Sequence, residues 1–127
     1  MRALATAALA LSIVVAGPLP ATPTASAVKQ VQADYRTVLM EEVCARHVAG
    51  DKDEGLRGQL RRLQALLRRA ERHGLGPALQ KAKREWDHFQ TVADWVCGKG
   101  AGVAALRAGI DRFARSIEVT IRARGRR

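Results

Sequence analysis

Glu85-Trp86-Asp87-His88 sets a carboxylate and an imidazole three positions apart. On a helix that spacing puts both on one side, and di-iron bundles use it twice, with two further glutamates facing inward. Here it occurs once, and helical phase turns Glu85 and His88 away from Leu79, Trp86 and Phe89. No metal is expected; Glu85 belongs on a solvated face near Arg84 and Lys81. Residues 51–55, DKDEG, begin like a calcium loop, but the sixth place holds Leu56 instead of glycine and the twelfth Arg62 instead of glutamate. Helix capping explains them better. Residues 98–102, GKGAG, share only glycine content with a phosphate cradle, because no strand precedes them and no GK[ST] follows. They read as a helix stop and restart, where Lys99 and the N–H groups opening the next helix suit a passing anion. Haem held by Met40, His47, His73 or His88 is not favoured, since His47 falls about a turn beyond Cys44, His73 at a helix end and His88 outward, and no CxxCH occurs for covalent attachment. No cofactor is expected.

Covalent chemistry is equally thin. Past residue 27 the sole serine is Ser116, in a helical setting without a strained elbow. The two cysteines, Cys44 and Cys97, lie 53 positions apart without CxxC spacing, so they read as a disulfide. Three histidines and twelve carboxylates show no pairing that singles out a general acid or base.

Positive charge is the feature left over. The chain has 22 Lys+Arg against 12 Asp+Glu. Residues 55–74, GLRGQLRRLQALLRRAERHG, hold six arginines in twenty positions. Arg57, Arg61, Arg68 and Arg72 form a stripe at helical spacing, and Arg122, Arg124, Arg126 and Arg127 a second basic group. Such charge implies affinity for anionic surfaces that weakens as salt rises. Two kinds of partner fit, an anionic envelope component or an acidic protein. Arginine richness by itself also follows from a GC-biased genome. Trp95, opposite the apolar stripe of its helix, is either a partner contact or packs beneath Cys44 and Val48. A different class of function, a small-ligand carrier or an all-helical enzyme, needs an anion-binding cavity in the bundle, and Glu42 is the acid placed nearest the first helix's seam.

The elements that must carry these residues follow from apolar periodicity. Residues 1–27, MRALATAALALSIVVAGPLPATPTASA, have the three regions of a secretory signal peptide: Arg2, an uncharged run from about Ala3 to Ala16, and Ala25-Ser26-Ala27 before the cut. The run is shorter than the roughly 20 residues a bilayer span requires. Cleavage before Val28 leaves a domain at 28–122 and a flexible basic tail at 123–127. The chain is therefore expected to be exported, to the periplasm or the medium, with no transmembrane segment after cleavage. Export also disfavours nucleic acid as the physiological target.

Within the domain, Val31, Tyr35, Val38 and Leu39 mark a first helix from about Val28 to Ala49, whose apolar side drifts or widens beyond Met40. Asp51 or Asp53 caps a second. There Leu56, Leu60, Leu63, Leu67 and Ala70 alternate spacings of four and three, a seam that could also pair between chains. A third, Pro77 to Cys97, carries Leu79, Ala82, Trp86, Phe89, Ala93 and Val96. The fourth, about Ala101 to Arg122, carries Val103, Leu106, Ile110, Phe113 and Ile117. No run of alternating β-branched residues signals a strand. Four amphipathic helices on short joints predict an all-α antiparallel four-helix bundle with one disulfide. In a square bundle the first and third helices are diagonal, too far apart for a bridge. The cysteines therefore call for a distorted bundle in which those two touch.

Overall fold

The structure is a computed structural model that describes residues 23–92 and 97–125. Residues 1–22, most of the expected leader, lie outside that range, as do Trp95, Arg126 and Arg127. The described residues form four helices and no strand: α1 (Pro23–Ala49), α2 (Glu54–Arg72), α3 (Gly76–Val92) and α4 (Val103–Gly125). Their boundaries have local causes. α1 begins at Pro23, ahead of Val28, because proline suits a first helical turn and the small residues after it tolerate helix. Gly50 (φ 86°) and Gly74 (φ 79°) end α1 and α2 in the left-handed region that glycine enters without Cβ strain. Of the two candidate caps, Asp53 is the one used, its Oδ1 accepting from the Leu56 N–H at 2.9 Å.

The helices run round the bundle in the order α3, α1, α4, α2, with the broadest contact between α1 and α4. α1 and α2, neighbours in sequence, barely touch, and α1 and α3 lie side by side. The expected contact between α1 and α3 is therefore present, and it comes from the order of the helices round the bundle, with no distortion needed at the bridge. Two links hold α1 and α3 in parallel register, and the disulfide ties α1 to the segment beyond α3. The Gln32 side chain donates to the Ala78 carbonyl at 3.2 Å, Arg36 pairs with Glu85 at 2.8 Å, and Cys44 is bonded to Cys97 with Cα atoms 5.5 Å apart. Glu85 thus answers Arg36 across the interface, not Arg84 or Lys81 on its own helix. α2 and α4 are likewise parallel, joined by Arg62–Asp111 at 2.6 Å and Arg69–Glu118. α1 and α4 run antiparallel, the Tyr35 and Phe113 rings stacking 5.4 Å apart. Because α1 serves both α3 and α4, its buried residues spread over Val31, Tyr35, Val38, Leu39, Cys44 and Ala45. That is why its apolar side widens.

The middle of the bundle is filled. Phe113, Leu56, Leu75, Leu106, Ile110, Ile117, Val31 and Val38 are fully buried, each worth about 1.5–3 kcal/mol of hydrophobic stabilisation. Leu56, Leu63 and Ala70 lie in this core, so the seam of α2 is consumed within the chain. Two hydroxyls are buried with it, each donating to a backbone carbonyl: Ser116 to Phe113 and Thr120 to Ser116. Phe89 departs from its expected place. Trp86 is buried, but Phe89 is 42% exposed with its ring 5.5 Å from the indole. The flexible tail is also corrected, since residues 123–125 continue α4. Arg124 donates to the His73 carbonyl at 2.6 Å, satisfying a carbonyl at the end of α2 and tying down the last turn of α4.

Candidate functional site

Placing α2 beside α4 gathers the basic charge. α2 holds six arginines against two glutamates; α4 holds five arginines against Asp111 and Glu118; the pair nets +7. α1 has three basic and three acidic residues, and α3 three basic and two acidic, so the other pair nets +1. One side of the bundle carries nearly all the excess.

The eleven arginines divide by role. Arg62 and Arg69 are internal: they form the ladder with Asp111 and Glu118, and Arg69 grips Glu118 by two bonds, at 2.5 and 2.9 Å. The hydrogen bond from Arg62 holds the Asp111 carboxyl below its usual range, and that from Arg69 does the same for Glu118. These pairs are half-exposed, so their worth lies in register more than in stability. Arg112 reaches back to Glu41 at 3.5 Å, and Arg124 caps α2. Arg57, expected in the anion-binding stripe, is partly occupied by Glu54 at 3.6 Å and by the Asp51 carbonyl at 3.3 Å. Arg61, Arg68 and Arg72 are exposed and make no ion pair among the described residues. The same holds for Arg107, Arg115 and Arg122 on α4. The predicted stripe therefore keeps three of its four members free of ion pairs; Arg122 is exposed beside them on α4, attracted by Glu118 without a direct bridge, and Arg124 is structural. Arg107 and Arg115 on α4 do not stand out by arginine density, which peaks in α2. Their spacing of eight and then seven to Arg122, opposite the core residues of α4, was the available signal.

The acid drawn inward is Glu41, not Glu42. Glu42 pairs with Arg46 one turn on, at the surface. Glu41 is 17% exposed, and its Oε2 is buried without a hydrogen-bond partner. Burial raises its carboxyl above the ordinary range, with Arg112 pulling partly the other way. Oε2 abuts α4 at Gly109, where a Cβ would stand 2.6 Å from it. The spacing of Val38, Glu41 and Ala45, three then four, is compatible with Glu41 on the seam but does not by itself separate it from Glu42. Beside it lies an open depression of about 240 Å³, walled by Met40, Cys44, Gly98, Gly102 and Ala105. A second, of about 380 Å³, lies between α2 and α3 over Tyr35, Leu67 and Leu79. Both are surface hollows, not chambers inside the bundle.

Among the described residues, no three His, Cys, Asp or Glu side chains are grouped as a metal site requires, and no helix is long and apolar enough to cross a membrane. Compared with protein-family models, with curated proteins and with solved structures, the chain matches none.

Proposed function

We propose that this chain is exported, cleaved before Val28, and acts without catalysis as a binding module. Its α2/α4 face docks an anionic partner, either an envelope component or an acidic protein. The observation that carries this reading is the segregation of charge, +7 on one helix pair against +1 on the other. A solvated helix needs arginines opposite its core, but it does not need two such helices side by side, with the acids of one, Asp111 and Glu118, held by Arg62 and Arg69 of the other. Long-range attraction from a one-signed face speeds encounter with anions and is screened by salt. The signal-like first 27 residues and the disulfide both suit an oxidising compartment.

Retention of the disulfide-bonded protein on heparin and on anionic vesicles tests the binding reading. Elution should need clearly more salt than a neutral helical control of similar size. Elution at the control's salt from every anionic matrix refutes it. Expression with the native N-terminus in a secreting host, followed by mass measurement, tests export; an uncleaved chain retained inside the cell contradicts it.

A further inference from the structure

We infer that the α2/α4 face takes an extended, linear polyanion bearing phosphates or carboxylates, and not a bilayer surface. This rests on the proposed anion-docking role and narrows its partner. Three observations converge.

The first is the kind of cation. The α2/α4 pair holds eleven of the chain's 17 arginines and none of its five lysines, which are Lys29, Lys52, Lys81, Lys83 and Lys99. A genome-wide preference for arginine codons acts on the whole chain and does not explain why every lysine lies off this face. A guanidinium fork binds phosphate or carboxylate by two parallel hydrogen bonds, whereas an ammonium acts as a point charge.

The second is the layout. The unpaired arginines make two lengthwise rows, Arg61, Arg68 and Arg72 on α2 and Arg107, Arg115 and Arg122 on α4. Because α2 and α4 are parallel, the rows run the same way, with the Arg62–Asp111 and Arg69–Glu118 ladder holding the helices in register between them. At about 1.5 Å per residue the rows extend roughly 16 Å and 22 Å. That shape suits a chain of charges laid along the helices, engaging several forks in series.

The third is what the face lacks. Proteins that lie on membranes combine basic residues with large apolar ones that enter the headgroup boundary. Met40, Val43 and Val48 are exposed on α1 and Phe89 on α3, so among the described residues four of the five exposed large apolar side chains are on the other helix pair, leaving Val119 alone on this one. The cations and the apolar groups that a bilayer would need together are on different sides.

The test measures binding of the full disulfide-bonded chain to inorganic polyphosphate and to polyuronate, each as a length series, beside orthophosphate and vesicles rich in anionic phospholipid. Affinity should climb with polymer length and level off once about 22 Å is spanned, with vesicles binding more weakly at equal charge. The two polymers separate a phosphate from a carboxylate source. With six arginines engaged, the slope of log K against log salt should be about −4, falling to about −2 for R61Q/R68Q/R72Q and likewise for R107Q/R115Q/R122Q. The control K81Q/K83Q/R84Q, on α3, should leave the slope unchanged; circular dichroism checks that each variant is folded. Vesicle binding as tight as polymer binding, indifference to length, or an equal loss in the α3 control overturns the inference while leaving anion docking standing. Failure to bind any anionic probe overturns the docking role itself.

Discussion

Replacing Gly109 with alanine isolates the contact between α4 and the buried carboxylate. Elsewhere in a helix interior the change stabilises by about 1 kcal/mol, because alanine loses less backbone freedom on folding. At Gly109 the new methyl would stand 2.6 Å from Glu41 Oε2, so the carboxylate must swing away. That movement gives up the 3.5 Å pairing with Arg112, worth about 0.5 kcal/mol at this exposure, and crowds a packed position at a further cost of about 1 kcal/mol. G109A should therefore be neutral or destabilise slightly in the native background. In the E41A background the obstacle is gone, and the full gain of about 1 kcal/mol should return. The double-mutant cycle then has a coupling energy of about 1–2 kcal/mol, well above the few tenths expected of independent sites. Urea unfolding of the four proteins at neutral pH, disulfide intact, measures it directly. Equal stabilisation by G109A in both backgrounds would show that Glu41 does not press on α4, and the account of this glycine would be wrong.

Three further outcomes follow from the same structure. Removing the bridge with C44A/C97A should cost about 4 kcal/mol, the chain-entropy value for a loop of 53 residues, seen as a lower urea midpoint; a loss under about 1 kcal/mol would refute it. The raised carboxyl of Glu41 means that the folded chain holds that proton more tightly than the unfolded chain does, so its contribution falls as pH rises from the ordinary carboxylate range through the raised value. E41Q should accordingly gain stability relative to the parent between pH 4 and pH 7, and a difference independent of pH would contradict the shift. R124Q should lose about 0.5–1 kcal/mol and speed amide exchange in the last turn of α4, while exchange in the middle of α4 stays slow.

The helices and their core were legible because the apolar spacing of α2, α3 and α4 is regular and glycine or aspartate punctuates each joint. Which helices adjoin was legible only where the cysteine pair required α1 to meet α3. Alternating directions fit either order round the bundle, and what decides between them is pairing across distance, such as Arg36 with Glu85 or Arg62 with Asp111. Such partners carry no periodic trace in the chain. The same gap misplaced the acid. Glu41 and Glu42 are adjacent, each follows an apolar residue by three or four places, and only the approach of Gly109 on α4 selects Glu41. Phe89 shares the spacing of Trp86 but reaches the edge of the α1–α3 contact, where the apolar stripe outruns the neighbour it would cover. The arginine stripe was visible, but its division into ladder, cap and unpaired rows depends on where Asp111, Glu118 and His73 arrive.

The broad contact between the first helix and the last has a consequence for how the molecule assembles. A nascent chain ending before Val103 lacks the partner for Tyr35, and since α1 and α2 hardly meet, no early hairpin can shelter that flank meanwhile. Closure must wait until α4 has been made, which shifts folding toward the slow, non-local end of the range for helical proteins. The antiparallel run of α1 and α4 also brings the beginning of the described chain and its end to one pole, with the cystine at the other. A linker joining Gly125 to Val28 and a new opening near Gly50 should therefore give a permuted chain with the same interior.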